Sequence, residues 1–286
     1  MSVKIKAFYN EGTSTLSYIV FDSKSLKGMI IDPVLDFDIY SGCLCYYSAN
    51  LILDYIDSHH LDIDWIVETH THADHITAAQ FFKSKLGAKV AISETVKQVQ
   101  QTFNAKMDLN IHVDGSQFDH LFVDNEVFSL GDIPVRVIAT PGHTPDSVCY
   151  LIDGNAFVGD TLFMPDSGTA RCDFPNGDAS QLFHSIQRLF EMGDDLILWM
   201  CHDYQPHNRE LVYKTTVLEQ KKYNIHLKHN TNQHDYVLMR QLKDAALETP
   251  KLLLPAIQIN CNAGVLPLDK NNHLGFIKIP LKLKAI

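Results

Sequence analysis

Between residues 69 and 75 the chain reads Thr69-His70-Thr71-His72-Ala73-Asp74-His75, which puts three imidazoles and a carboxylate within six residues. The residues before it, Ile63-Asp64-Trp65-Ile66-Val67-Glu68, are β-branched and apolar and predict a strand. Those after it, Ile76 to Lys83, carry apolar residues at helical spacing and predict a helix. The cluster therefore falls on a strand-to-helix turn, where side chains at the end of a buried strand converge on one point. Neutral imidazole is the commonest protein ligand for a metal, and carboxylate is its usual harder companion. A single histidine here could be a solvated or capping group, and Asp74 could cap the next helix. That alternative accounts for one residue at a time, not for all four together.

The rest of the chain bounds what such a site can serve. A length of 286 residues, with 45% hydrophobic and 20% charged residues, suits a globular α/β protein with a substantial core. The formal net charge of −10 argues against general affinity for nucleic acid, which needs a basic stripe. It leaves an anionic small-molecule substrate open, because charge in a pocket can differ from the global sign. The N-terminus enters a strand-like pattern directly, with no apolar signal core, and no apolar run reaches membrane-spanning length. The six cysteines (Cys43, Cys45, Cys149, Cys172, Cys201, Cys261) are scattered, with only Cys43 and Cys45 close. Reduced thiols in a cytoplasmic protein are expected.

Short β-type runs at 3–8, 15–20 and 29–31 predict an antiparallel meander, which Asp32-Pro33-Val34-Leu35-Asp36 is expected to end. Residues 49–58 predict an amphipathic helix with Leu51, Leu53, Tyr55 and Ile56 as its apolar contributors. A strand is expected at 88–92, a helix at 94–101 and a polar surface loop over 103–125. Strands follow at 126–130, 135–140, 147–152 and 156–159, then a helix over 178–192 and a strand at 196–200. Residues 209–227 and 234–246 predict helices, and 251–281 returns to apolar β-type runs. With no repeat and no linker, one domain over residues 1–286 with a C-terminal extension from about 235 to 286 is the simplest organisation.

Three more strand-like runs end in a potential ligand: 135–140 leads to His143, 156–159 to Asp160, and 196–201 to His202, which Asp203 and Tyr204 follow. Ligand sites of α/β sheets form beyond strand ends. Each residue has an ordinary alternative: His143 as a turn residue, Asp160 as a cap, His202 bonded to Asp203 or backbone. The remaining histidines lack such a context and are expected at the surface or in packing.

Assembled, His70, His72, Asp74 and His75, then His143, Asp160 and His202, resemble the ligand pattern of the metallo-β-lactamase superfamily in order, spacing and strand context. The resemblance implies an αβ/βα sandwich with the metal site at one edge. A narrower likeness lies in Gly159 to Asp166 and in Gly168 to Pro175, together with His202-Asp203-Tyr204; these resemble the persulfide dioxygenases. Asp114 to His120 and Leu254 to Asn260 resemble the bacterial β-lactamase hydrolase-like group, so the likeness spans nearly the whole chain. Cys201 stands where glycine often precedes the His-Asp-Tyr segment, and residues 41–48 are unusual for that loop.

The narrower resemblance implies one Fe(II) per chain, held by His70, His143 and Asp160, the two-imidazole, one-carboxylate triad of non-haem iron oxygenases. The implied reaction takes glutathione persulfide, dioxygen and water to glutathione and sulfite, in sulfide detoxification. His72, Asp74, His75 and His202 would orient water and ligands around the metal. Arg171 is expected to pair with a glutathione carboxylate, or else with Asp173 at the surface, and Tyr204 to contact the glutathione backbone or pack. The family implies a homo-oligomer, a dimer or tetramer. The same ligands could instead hold two zinc ions and hydrolyse a thioester, as in glyoxalase II-type enzymes: His70, His72 and His143 on one, Asp74, His75 and His202 on the other, with Asp160 bridging. A third reading is a metal or sulfide sensor built on Cys43 and Cys45.

Overall fold

A computed structural model describes residues 2–269 and 274–281. The first half builds one sheet and its cover. Strands β1 (Val3–Asn10), β2 (Thr15–Asp22) and β3 (Lys27–Ile31) form the expected meander. β4 (Val34–Asp38) and β5 (Cys43–Cys45) then pair as a hairpin before α1 (Tyr47–Ser58). β6 (Asp62–Val67), β7 (Ile76–Thr77), α2 (Ala79–Leu86), β8 (Lys89–Ser93), α3 (Val96–Met107) and β9 (His120–Phe122) complete this half. The sheet order is β1-β2-β3-β6-β8-β9, with β3, β6, β8 and β9 parallel and β1 to β3 antiparallel.

The second half forms a sheet in the order β10 (Val127–Leu130), β11 (Ile133–Ala139), β12 (Val148–Ile152), β13 (Asn155–Phe157), then, beyond α4 (Ala179–Phe190), β14 (Ile197–Trp199) and β15 (Lys214–Thr216). Helices α5 (Val217–Tyr223), α6 (Gln233–Asp244) and α7 (Leu253–Asn260) follow. The two sheets pack face to face, as the αβ/βα sandwich expectation requires. Leu16, Tyr18, Val20, Met29, Ile31 and Val67 of the first sheet meet Val135, Val137, Tyr150 and Phe157 of the second. Alternate residues of the same strands point outward: Ile19, Ile30 and Ile66 bury against Ile52, Ile56 and Phe82 of the first helical layer. Ile138 and Leu198 bury against Leu182, Ile186 and Leu189 of α4. Truncating one such core leucine, as in Leu182→Ala, costs about 2–5 kcal/mol through lost burial and the cavity left behind.

Helix boundaries follow local chemistry. Asp178 caps α4 by accepting from the Gln181 N–H. Thr216 and Glu219 form a reciprocal capping box that starts α5.

Several expectations are corrected. The meander ends at Ile31, as expected, but the segment that ends it is not irregular: Val34–Asp38 forms β4, which pairs β5 and β7 in a separate three-stranded sheet, and the Pro33 carbonyl accepts from the Ala78 N–H at 2.8 Å. Ile76 and Thr77 belong to β7, so the helix begins at Ala79; a two-residue strand leaves no periodicity to read. In α1 the buried positions are Ala49, Ile52 and Ile56, while Leu51 faces solvent. The stretch 103–125 is not all loop: α3 runs to Met107, because Phe103 and Met107 bury beside Ile257. Residues 209–213 are irregular and Lys214–Thr216 pairs β14, so only α5 is helical there. Within the apolar run after residue 251, Leu253–Asn260 forms helix α7 and not a strand: Ile257 and Ile259, about 200° apart around the helix, reach two different clusters, and Leu268 and Gly275 make only an isolated bridge. Lys270 to His273 and residues 282–286 of the proposed extension lie outside the described residues.

Candidate metal centre

Four strand ends deliver the site. The loop after β6 carries His70, His72, Asp74 and His75; the loop after β11 carries His143; a 3-10 turn after β13 carries Asp160; and the end of β14 leads to His202. The loops are fixed from behind. Asp146, fully buried, accepts from the Thr71 N–H (2.9 Å) and hydroxyl (2.6 Å). Gly159 holds φ +50°, and an added Cβ there would meet Thr69 Oγ1 at 2.6 Å, so only glycine lets the Asp160 turn lie against the Thr69 strand end.

The donors converge as expected from the sequence. His70 Nε2 and His143 Nε2 lie 3.9 and 3.6 Å from Asp160 Oδ2, and ligand atoms of the three residues all lie within 4.8 Å of one another. His72, Asp74 and His75 form a second such group. His202 Nε2 joins the two, 3.0 Å from Asp74 Oδ2 and 3.4 Å from Asp160 Oδ1. Asp74 is half-buried and the rest are buried.

The hydrogen bonds behind each ring set which nitrogen faces inward. His143 Nδ1–H donates to the Arg171 carbonyl at 2.7 Å, leaving the Nε2 lone pair toward Asp160. His70 Nδ1–H is 3.1 Å from Thr69 Oγ1, whose own hydroxyl donates to Asp32. His202 Nδ1–H donates to the Ser14 carbonyl at 3.2 Å. His72 is turned the other way: Nε2–H donates to Asp32 at 3.0 Å, with Glu68 Oε2 3.3 Å away, so Nδ1 points into the site. His72 Nδ1, His75 Nε2, His202 Nε2 and Asp160 Oδ1 are buried and have no hydrogen-bond partner among the described residues. Buried polar atoms left unpaired are costly, and a cation among them resolves the cost. The donor set fits a metal ion.

The electrostatics divide the rings. Burial, then the neighbouring His72 and His143, holds His70 well below the usual histidine range. Burial also takes His75 down to about 4. Both rings are thus neutral and able to ligate. Burial opposes the charge on His72, but Asp32 and Glu68 override it and raise its pKa well above the ordinary value. Burial likewise opposes His202, and Asp74 and Asp160 raise it.

Around these residues opens a cavity of about 1460 Å³, bordered by Asp74, His143 and Asp160 at its floor. Its walls come from β4 and β5 on one side and from residues 242–252 on the other. Tyr204 lines it with its ring stacked on His202 (centroids 5.6 Å apart) and its hydroxyl unpartnered among the described residues. Arg171 also lines it, but the guanidinium fork is taken bidentately by Asp173 (2.6 and 2.7 Å), with a further bond to the Glu248 carbonyl. Cys201 stands beside Asp160 and His202, yet its thiol donates to Asp32.

Sequence reasoning missed the supports. Asp32, Glu68 and Asp146 carry the loop, and Asp32 offered the same strand-ending pattern as Asp160. His226 also borders the cavity, where its Nδ1 accepts from the Thr169 N–H; its context in sequence gives no sign of this.

Among the described residues no helix is long and apolar enough to cross a membrane. Residues 13–202 match the family model of the metallo-β-lactamase superfamily. The chain is 43% identical over 282 residues to Glyoxylase B2 of Dictyostelium discoideum, covering 97% of each. It is 45% identical over 278 residues to a beta-lactamase hydrolase-like protein of Agrobacterium fabrum, covering 97% of this chain and 64% of that one. It is 28% identical over 206 residues to the mitochondrial persulfide dioxygenase ETHE1 of Homo sapiens, covering 71% and 69%. Among solved structures, ETHE1 from Myxococcus xanthus superposes with a TM-score of 0.74 at 27% identity, covering 92% of this chain and all of that one. The chain belongs to the metallo-β-lactamase superfamily and is an enzyme built on its metal-binding fold.

Proposed function

We propose that the chain is an Fe(II)-dependent persulfide dioxygenase, which takes a small-thiol persulfide such as glutathione persulfide, dioxygen and water to the thiol and sulfite. The observation that carries this reading is the buried set His70, His143 and Asp160, its donor atoms within 4.8 Å of one another on the floor of an open cavity. Two imidazoles and one carboxylate suit Fe(II), which they would hold, and the bound ion would supply the redox chemistry. The likeness to the persulfide dioxygenase ETHE1 supports it.

The protein's own groups have definable tasks. The Arg171 carbonyl and Thr69 hydroxyl fix His143 and His70 so that Nε2 faces the site. His72, Asp74, His75 and His202 orient water and substrate beside it. The Tyr204 hydroxyl is free to donate to the thiol's backbone. Arg171 contributes positive charge to the cavity wall more than a clasp, since Asp173 occupies its fork. Lys243 and Lys251 border the same cavity without an ion-pair partner among the described residues, and supply further charge for an anionic thiol. Residues 235–269 and 274–281 belong to the same domain in this reading, supported by the Cys172 N–H, which donates to Asp244 Oδ2 at 2.8 Å. Cytoplasmic location and assembly as a dimer or tetramer are part of the proposal; the six free thiols are consistent with the first.

A second reading, a binuclear zinc thioester hydrolase, is favoured by the unpaired His72 Nδ1, His75 Nε2 and His202 Nε2 and by the relative named Glyoxylase B2. Oxygen uptake and sulfite release by Fe(II)-loaded protein given glutathione persulfide separate the two. Sulfite in proportion to oxygen, lost in Asp160→Ala, supports the dioxygenase. No uptake with iron bound, together with turnover of glutathione thioesters by zinc-loaded protein, replaces it with the hydrolase.

A further inference from the structure

Four of the six cysteines are sealed in the protein: Cys149, Cys172, Cys201 and Cys261 are buried, and burial raises all four thiols, Cys149 to about 11. Cys43 and Cys45 are the exposed pair. They sit two residues apart on β5, so their side chains leave the same face of the strand. Both border the cavity whose floor holds Asp74, His143 and Asp160. The hairpin that carries them is anchored: Asp36, opposite Cys45, accepts from Asn10 Nδ2 (2.7 Å), Ser48 Oγ (2.7 Å) and the Ser48 N–H (2.8 Å). The metal centre uses neither thiol.

We propose that Cys43 and Cys45 form an acceptor site for the outer sulfur of a small-molecule persulfide at the mouth of the metal cavity, an inference that rests on the persulfide substrate argued above. The step balances without an oxidant. A cysteine thiolate attacks the terminal sulfur of R–S–SH, the S–S bond breaks, R–S⁻ leaves and takes up the proton the cysteine gave, and the products are Cys–S–SH and R–SH. The reverse exchange returns the sulfur to a thiol in the cavity. Strand geometry keeps the two thiols in this role. Alternate Cα atoms on a strand lie about 6.6 Å apart and their Cα–Cβ bonds point the same way, so the Cβ atoms stay well beyond the about 3.5–4.5 Å that a disulfide needs. The neighbour therefore does not readily displace the bound sulfur as sulfide by closing a ring, and two acceptors remain side by side.

The test is anaerobic, so that oxygen chemistry does not consume the substrate. Full-length protein is mixed with glutathione persulfide, quenched with an alkylating reagent, and the peptide containing residues 43–45 is weighed for an added sulfur atom. The reference is a thiol of ordinary exposure outside the cavity: Ser84→Cys in a Cys43→Ser, Cys45→Ser background. The expected result is sulfur on Cys43 or Cys45 about tenfold faster than on the reference, because the cavity raises the local persulfide concentration, and the same advantage in Asp160→Ala protein. Transfer at the reference rate, or none, overturns the proposal even if aerobic protein makes sulfite. Rapid labelling in protein that makes no sulfite leaves the acceptor site standing and removes the dioxygenase.

Discussion

The side-chain amide of Asn260 donates to the main-chain carbonyl of His75 at 2.8 Å, joining residues 185 apart in sequence. The same amide donates to the His72 carbonyl (2.9 Å), and its oxygen accepts from the Thr77 N–H (3.0 Å). One buried side chain at the end of α7 thus clamps the turn that carries four of the candidate ligands.

Replacing this amide has a definite expected cost. Asn260→Ala leaves two carbonyls and one N–H buried without partners, each worth about 1–3 kcal/mol if nothing replaces it. The thermal midpoint should fall, and bound metal per chain should fall with it, measured by elemental analysis after gel filtration. A variant that loses stability but retains full metal occupancy would show that the clamp supports the fold and not the loop.

Asp32 is the second support. Its carboxylate accepts from the Thr69 N–H (2.7 Å), Thr69 Oγ1 (2.9 Å), His72 Nε2 (3.0 Å) and the Cys201 thiol. Asp32→Ala leaves His72 Nε2 with only Glu68, 3.3 Å away, and removes the acceptor of the Thr69 hydroxyl that steadies His70. Loss of such an outer partner typically lowers metal affinity about 10–100-fold. Competition with a chelator measures it; unchanged affinity would mean that the rings keep their places without Asp32.

Gly168 opens the segment that carries the narrower family likeness, and its geometry leaves no room for a side chain. It holds φ +89°, and an added Cβ would sit 2.2 Å from His226 Nδ1. Gly87 is the control: φ +70° with nothing within 4 Å of the added atom. Gly87→Ala therefore bears only backbone strain, about 1 kcal/mol or somewhat more. Gly168→Ala should lower the thermal midpoint further and also raise KM, since His226 and Thr169 line the cavity. Equal shifts in the two variants would mean that the His226 ring moves aside freely.

These supports explain what could be read from the sequence and what could not. The candidate ligands could be singled out because each follows a strand whose apolar run announces it, and sheet packing then brings strand ends together. The sandwich was legible only through the resemblance that these residues carry to the metallo-β-lactamase superfamily. Short strands such as Ile76–Thr77 were not, since two residues carry no period, and α7 was mistaken for strands because its apolar residues face two clusters at once. Asp32, Asp146 and Asn260 act through contacts across distant parts of the chain. The Asp173 clasp on Arg171 was available in sequence as a near neighbour, but its competition with a substrate carboxylate shows only in the fold.

Burial, then the charges of Arg240 and Lys243, pushes His226 down to about 4, from an ordinary value of about 6.5. The folded value lies below the unfolded one, so the neutral ring is favoured by folding. Its contribution to stability is complete above about pH 6.5 and is lost as pH falls from there toward about 4. His70 and His75, also lowered by burial, act in the same direction, so the wild-type profile alone does not isolate His226. His226→Gln does: it can keep an acceptor for the Thr169 N–H and has nothing to titrate. Between pH 7 and pH 5 the thermal midpoint of wild-type protein should fall more than that of the variant, with both in the same metal state. Parallel profiles would mean that His226 takes up its proton as readily in the folded chain as in the unfolded one, and that the wall formed by Arg240 and Lys243 does not set its charge.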